Sequence, residues 1–314
     1  MGYKLAGFDV VACVEIDVAM FEMYMANLKP QFGFNVPIQK FNEIPDSELP
    51  KELFDLDVLD GSPPCSVFST AGKRSDGWGV EKKFREGQAE QRLDDLFFHF
   101  INTAKKLKPK FVIAENVMGM TVGAARGYLK EIFQAFNEAG YNIRLFQLDA
   151  SRMGVPQKRR RIFFVGSRKD LKIHNLEFEF DEKEISLGEA WNDLNDTQVV
   201  PMMKPKSKGF KYWSKTIPGK SFRDAAALGS KGNSWFTCFK LSLRHPSPVL
   251  ISSGYETHPV EPRTLTAKEI CRIQSFPDDY FFAKNSPKYV CGMSVPPLMM
   301  QRIALKVAES IMTP

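Results

Sequence analysis

Three segments of this 314-residue chain place reactive or charged side chains directly beside apolar runs. In the first, Cys65 follows the dipeptide Pro63-Pro64 at the end of a predicted strand. Two prolines stiffen the backbone, and a cysteine held on a stiff loop can act as a nucleophile in its thiolate form. A lone cysteine can also be a small buried hydrophobic residue, but the prolines and the flanking serines favour the nucleophile.

The second segment ends an apolar run with two polar residues. Glu115 and Asn116 follow Phe-Val-Ile-Ala, which reads as a buried strand. Buried polar groups need hydrogen-bond partners, and a carboxyl group at an apolar strand end can serve as a general acid near neutral pH. A strand-to-loop boundary that is polar by chance would give the same pattern, so both interpretations stay open here.

The third segment is the basic run Gln-Lys-Arg-Arg-Arg at 157–161, which enters another apolar strand. Strand alternation would place Gln157, Arg159 and Arg161 on one face. Two guanidinium groups beside a carboxyl group and a cysteine are suited to orienting the acid and holding phosphates. A solvated charged surface is the alternative interpretation.

Composition and charge restrict the class of protein. Hydrophobic residues are 43% and charged residues 25% of the chain, which excludes collagen, coiled coil and general disorder. The 43 basic and 37 acidic residues give a formal net charge of +6, which permits nucleic-acid binding without establishing it. Lysines alternate with aromatic residues at 204–215, a mixture that can contact phosphates and stack on bases.

Targeting signals and the spacing of the cysteines indicate where the protein is located and whether disulfides or a structural zinc site are expected. No window has the roughly 18 apolar residues of a membrane helix, and the N-terminal segment does not resemble a signal peptide, so a cytoplasmic protein is expected. The five cysteines are odd in number, widely spaced and without a CxxC pair. This pattern argues against a disulfide framework and against a structural zinc site.

The elements that would position these residues alternate between strands and helices in the first half of the chain. Strands are predicted at 8–16, 56–62, 111–117, 141–150 and 161–169, and helices at 18–28, 93–108 and 128–140. This alternation is typical of βαβ units with a parallel sheet, where ligands bind beyond the carboxyl ends of the strands. Residues 171–262 are irregular, and helices return at 265–276 and 296–312.

Five motifs follow one another along the chain: PPCSVFS, AENV, QKRRR, RTLTAKEICRIQSFPDD and CGMSVPP. In this order and with these separations they resemble the motif series of C5-cytosine DNA methyltransferases, from about residue 4 to residue 311. The resemblance implies an α/β, Rossmann-like, S-adenosylmethionine-dependent methyltransferase domain at 1–170. It also implies a smaller irregular target recognition domain at 171–262 and a return to the catalytic domain at 263–314.

The resemblance assigns roles residue by residue. Cys65 would add covalently to C6 of cytosine, Glu115 would protonate the base around N3, and Arg159 and Arg161 would position the base and the acid. The implied substrate contacts are Ser69, Asn116 and Gln157. The implied cofactor contacts are Glu15, Ile16, Pro63, Leu96, Ser294 and Val295.

The sequence departs from the family pattern in three places. The opening strand and glycine-rich loop of the family do not precede residues 1–8, so we expect a start assigned too late, a truncated gene, or a strand supplied by another chain, and favour truncation of a complete enzyme. Lys40 stands nearest to the usual adenine-contacting acid, and Met293 stands where the family more often has Asn.

These observations predict a DNA (cytosine-5-)-methyltransferase that acts on double-stranded DNA as a monomer, without a metal, in a bacterial restriction-modification system or a phage. Two alternatives stay open. One is the tRNA-methylating branch, although Thr237-Cys238-Phe239 holds the branch's Cys-Phe-Thr residues in another order. The other is a non-catalytic, truncated DNA-binding remnant.

Overall fold

The computed structural model describes residues 1–63, 81–82, 91–92, 95–122, 125–173, 176–226 and 237–312. The helices are α1 Gly2–Leu5, α2 Val18–Leu28, α3 Ile38–Glu43, α4 Leu96–Leu107, α5 Ala125–Glu138, α6 Leu187–Ala190, α7 Lys208–Lys215, α8 Phe222–Ala226, α9 Ala267–Ile273, α10 Pro287–Met293 and α11 Pro297–Met312. The strands are β1 Ala12–Val14, β2 Phe32–Phe34, β3 Val58–Gly61, β4 Glu81–Lys82, β5 Gln91–Arg92, β6 Phe111–Val117, β7 Tyr141–Asp149, β8 Arg160–Arg168, β9 Cys238–Lys240 and β10 Tyr255–Thr257.

Local sequence signals set several of these boundaries. The predicted helix at 18–28 is α2, and Asp17 caps it by accepting hydrogen bonds from the N–H groups of Ala19 and Met20 at 2.9 and 3.1 Å. The predicted strand at 111–117 is β6. In contrast, the predicted strand at 8–16 shrinks to β1, which is only as long as its partner β2.

The main sheet has the strand order β3-β6-β8-β7. The prediction of a parallel sheet is correct for β1–β2 and β3–β6, and wrong for β8, which runs antiparallel to β6. The connection from β7 to β8 spans only 150–159, shorter than the dozen or more residues that a parallel crossover requires. The chain therefore reverses direction as it enters β8.

The chain forms two compact units. The first, here called the sheet unit, comprises Phe8–Leu148, Arg160–Glu179 and Ala304–Pro314. The second unit comprises Met1–Gly7, Asp149–Arg159 and Phe180–Ile303. These units are defined by packing alone, so the assignment of target recognition to 171–262 stays a prediction.

Each unit has its own apolar core. In the sheet unit, α4, α5 and the sheet share a core in which Phe97, Phe136 and Phe164 are at most 2% exposed. In the second unit, Leu187, Leu241, Leu250 and Ile273 are fully buried in a core that includes α6 and α9. No helix within the described ranges is long and apolar enough to span a membrane.

Candidate active site

The parallel register of β3 and β6 brings two of the sequence motifs to one edge of the sheet. Gly61 pairs with Ala114, so the chain leaves β3 through Ser62 and Pro63 where Glu115 continues β6. A Cβ atom on Gly61 would lie 2.6 Å from the ring of Phe100, so only glycine allows α4 to pack this closely under the strand end. The expectation that both motifs lie at strand ends is met for the residues up to Pro63.

Asn116 connects these two strand ends. Its Nδ2 donates a hydrogen bond to the carbonyl of Pro63 at 3.1 Å, and its Oδ1 accepts from the N–H of Val117 at 2.8 Å. Asn116 is only 4% exposed, so these bonds satisfy a buried amide. The backbone is thereby fixed two residues before Cys65. Cys65 and Ser69 themselves lie outside the described residues.

Glu115 forms an ion pair with Arg161 across the sheet. The Arg161 Nε lies 3.0 Å from Glu115 Oε1, and the two side chains are only 15% and 13% exposed. Arg161 is in register with Val117, so it shares a face with Glu115 one diagonal step along β6. Burial lowers the pKa of the Arg161 guanidinium, and the Glu115 carboxylate opposes that shift. The pair therefore orients the carboxylate within a largely dehydrated site.

Arg159 and Gln157 are not part of this strand face. Strand β8 begins one residue after Arg159, so alternation does not extend back to Gln157, and the prediction of one shared face is wrong on this point. The Arg159 guanidinium instead donates to the carbonyls of Leu250 and Gly292 at 2.9 and 3.0 Å. Gln157 is fully buried and hydrogen-bonded within the second unit, and its substrate contact stays a prediction.

Glu15 lies at the end of β1, as expected for a residue that binds a nucleotide-like cofactor. Its Oε1 accepts from the N–H of Asp17 at 2.8 Å, and its backbone carbonyl accepts from Asn35 Nδ2 at 2.7 Å. Burial raises the pKa of the Glu15 carboxyl, and the backbone N–H groups of Asp17 and Ile16 only partly oppose this. A partly dehydrated carboxylate of this kind gains from additional hydroxyl donors, so its chemistry fits a ribose diol.

The other predicted cofactor residues fall in both units. In the sheet unit, Ile16 and Pro63 are half-buried and Leu96 begins α4 with 6% exposure. In the second unit, Ser294 and Val295 are half-buried and lie between α10 and α11. Their contacts with a cofactor stay predictions.

The basic run at 204–215 forms α7 and its N-terminal approach. Phe210, Tyr212 and Trp213 are half-buried, and Trp213 Nε1 donates to the carbonyl of His258 at 3.0 Å. Lys240 Nζ lies over the Trp213 ring, 3.7 Å from its centroid. These aromatic residues hold α7 in place, while the lysines of the run are exposed: Lys204, Lys206, Lys208, Lys211 and Lys215.

Asn35 and Gln274 make buried or long-range contacts that the sequence does not predict. Asn35 donates a hydrogen bond to the backbone carbonyl of Glu15, which lies 20 residues earlier in the chain, and no local sequence pattern predicts such a contact. Gln274 is a fully buried amide inside the motif RIQSF. Because the polar residues Arg272 and Ser275 lie close to it in the sequence, no local pattern predicts that this amide is buried.

Solved structures with the same architecture identify the fold. A prophage-encoded Escherichia coli protein, described as a DNA modification methyltransferase, matches with a TM-score of 0.67 and 21% identity over 99% of this chain and 95% of its own. A DNMT2 variant from Spodoptera frugiperda matches with a TM-score of 0.64 and 16% identity over 98% and 95%. The protein has the Rossmann-like methyltransferase fold, which confirms the predicted fold class.

Sequence comparison gives the family. The family model described as C-5 cytosine-specific DNA methylase matches residues 1–309, so this chain belongs to that family of DNA (cytosine-5-)-methyltransferases. The Type II methyltransferase M.FnuDI of Fusobacterium nucleatum is 30% identical over 99% of this chain and 91% of its own length. The Type II methyltransferase M.NgoPII of Neisseria gonorrhoeae is 27% identical over 99% and 92%. Family and fold imply DNA as the substrate and S-adenosylmethionine as the methyl donor.

Proposed function

We propose that this protein methylates C5 of a flipped-out cytosine in duplex DNA, with Cys65 as the nucleophile and Glu115 as the acid. The observation that carries the proposal is the shared strand edge. The register of β3 and β6 and the bond from Asn116 to Pro63 bring the chain leading to Cys65 to the strand end that holds Glu115. A base stacked in a duplex is out of reach of such a site, so the cytosine must leave the stack.

The chemistry requires two protein groups because C5 of cytosine is a poor nucleophile. The Cys65 thiolate donates an electron pair to C6, and the S–C6 bond forms as N3 takes a proton from Glu115. The displaced electrons make C5 nucleophilic. Bound S-adenosylmethionine supplies the methyl group that C5 takes up. Loss of the C5 proton to a water molecule then restores the C5–C6 double bond and expels Cys65 as thiolate, and N3 returns its proton to Glu115.

Arg161 is the residue that positions the acid in this proposal. Its ion pair at 3.0 Å holds the Glu115 carboxyl group on one face of the sheet. Arg159 is assigned a different part, because its guanidinium is committed to the carbonyls of Leu250 and Gly292. The residues proposed to hold the cofactor are those of the sequence prediction: Glu15, Ile16, Pro63, Leu96, Ser294 and Val295.

The Type II relatives favour a role in restriction-modification, in which methylation is confined to one short DNA sequence. In this proposal residues 171–262 select that sequence. Exposed lysines on and before α7 would contact the DNA backbone there, since phosphate contacts add affinity without reading bases.

Methyl transfer to two substrates tests the proposed function. The protein is incubated with S-adenosylmethionine labelled in its methyl group and with either duplex DNA of mixed sequence or bulk tRNA. We expect label as 5-methylcytosine in DNA and none in tRNA. Label in tRNA alone would favour the tRNA-methylating alternative. Calorimetry with S-adenosylmethionine provides the third outcome, because a protein that binds DNA but no cofactor is the non-catalytic remnant.

Removing the lysine charges near α7 is expected to weaken binding to every duplex. In the quadruple variant, Lys204, Lys206, Lys208 and Lys211 become alanine, which preserves helix propensity while deleting four exposed charges. Each lost phosphate contact lowers the slope of log K against log salt by about 0.9. Fluorescence anisotropy across a salt series measures this slope for specific and unrelated duplexes.

A second quadruple variant separates this effect from a general loss of charge. It replaces four exposed lysines elsewhere on the protein: Lys51, Lys105, Lys130 and Lys284. This control should leave the salt slope unchanged. An equal slope in the α7 variant and the wild type would mean that the α7 lysines form only a solvated surface.

A further inference from the structure

Two fully buried glutamines form a chain of hydrogen bonds inside the second unit. Gln157 and Gln274 are both 0% exposed. Gln157 Oε1 accepts from the N–H of Leu250 at 3.2 Å, and Gln157 Nε2 donates to Gln274 Oε1. Gln274 Nε2 then donates to the carbonyl of Ser294 at 2.7 Å. This chain of hydrogen bonds, here called the glutamine relay, connects Gln157 to Gln274 across 117 positions of sequence and Gln274 to Ser294 across 20.

Arg159 makes hydrogen bonds to two of the segments that the glutamines also join, those around Leu250 and Gly292. It is 2% exposed and donates to the carbonyls of Leu250 and Gly292. The backbone of Leu250 therefore receives Arg159 at its carbonyl and offers its N–H to Gln157. Two sets of hydrogen bonds therefore join the segment 157–159 to the segment 292–294: one passes through Gln274, and the other is the direct bond from Arg159 to Gly292.

The polar groups of Ser294 are committed within this unit. Its N–H and its Oγ both donate to the carbonyl of Val290, at 3.0 and 2.7 Å, and its carbonyl accepts from Gln274. The N–H and Oγ bonds are local to the end of α10, whereas the Gln274 bond is the long-range one. Gln274 thus holds the carbonyl of Ser294, the residue that follows α10 and precedes Val295.

We propose that Gln274 is a positioning residue for the cofactor-binding segment at 294–295. This inference rests on the proposed function, in which Ser294 and Val295 contact S-adenosylmethionine. A buried amide whose partners are removed is unfavourable, so the relay favours a single arrangement of its three segments. By orienting the Ser294 carbonyl inward, Gln274 fixes the backbone on which the cofactor contact depends.

The Gln274→Met variant tests this assignment, because methionine keeps the length of the side chain and removes both of its hydrogen bonds. We expect the Kd and the KM for S-adenosylmethionine to rise about tenfold, the effect of losing the one buried hydrogen bond that reaches Ser294. The KM for duplex DNA should stay within about twofold of the wild-type value. Calorimetry and steady-state kinetics on the full chain give these values.

Thr257→Val is the matched control. Thr257 is also 0% exposed, and its Oγ1 donates to the carbonyl of Phe239 at 3.0 Å, away from the relay. Both variants lose buried hydrogen bonds and should show a lower Tm, but only Gln274→Met should weaken cofactor binding. A lower Tm with an unchanged Kd for S-adenosylmethionine in Gln274→Met would show a purely structural role and overturn the proposal.

A second variant keeps the test decisive if Gln274→Met does not fold. Gln157→Met breaks the link between the two glutamines and leaves the bond from Gln274 to Ser294 possible, so a smaller rise in the cofactor Kd is expected. If the Gln157→Met enzyme bound the cofactor with wild-type affinity, the proposal that these hydrogen bonds position the segment 294–295 would be overturned. Failure of the proposed function looks different, because the wild-type chain itself would neither bind S-adenosylmethionine nor methylate DNA.

Discussion

Cys65→Ser is expected to reduce DNA methylation below detection while leaving the fold unchanged. The substitution exchanges a thiol for a hydroxyl of similar size, but a serine without a dedicated base does not supply the anion that must attack C6. A covalent adduct provides the direct measurement. Duplex DNA containing 5-fluorocytosine should trap the wild-type enzyme, because fluorine at C5 cannot leave as a cation in place of the proton.

Cys238→Ser is the control for this experiment. Cys238 is buried in β9, and burial raises the pKa of its thiol, so that it stays protonated and unreactive. This variant should form the adduct and retain methylation. An adduct that persists in Cys65→Ser and disappears in Cys238→Ser would reverse the assignment of the nucleophile.

Glu115→Gln is expected to slow turnover by about 100-fold or more, the usual contribution of a general acid. Glutamine keeps the shape of the side chain and can still accept a hydrogen bond from Arg161 Nε, but it has no titrating proton to give to N3. The affinity for duplex DNA should change little, because Glu115 is proposed to act in the chemical step and not in binding the duplex. Single-turnover kinetics separate the chemical step from DNA binding.

Loss of a buried ion pair also affects stability, so the comparison needs a variant that loses only stability. Glu269→Gln provides it, since Glu269 pairs with Arg263 at 2.8 Å with side chains 6% and 12% exposed. Glu115→Gln removes the carboxylate that pairs with Arg161, and Glu269→Gln leaves Arg263 with only the half-exposed carboxylate of Glu261, so both variants should lower the Tm. Near-normal turnover in Glu115→Gln would mean that Glu115 has only a structural role, whereas near-normal turnover in Glu269→Gln is the expected result.

Short-range signals made much of the fold predictable. The predicted bounds of the helix at 18–28 and of the strand at 111–117 are those of α2 and β6, because apolar spacing in the helix and the apolar run at 111–114 are patterns of neighbouring residues. The same holds for the polar residues Glu115 and Asn116, which stand out because they end that run. Motif order along the chain was sufficient for the family, which the comparison with residues 1–309 confirms.

The sequence by itself therefore determined the alternation of elements, the family and the candidate nucleophile and acid, because each depends on residue type and local spacing. Only the tertiary structure decided that β8 lies between β6 and β7, that Arg161 and not Arg159 pairs with Glu115, and that Gln274 links Gln157 to Ser294. These features join residues far apart in the chain. Their partners are chosen by the order of the strands in the sheet and by the need of buried polar groups for hydrogen bonds, and neither is expressed in a local pattern.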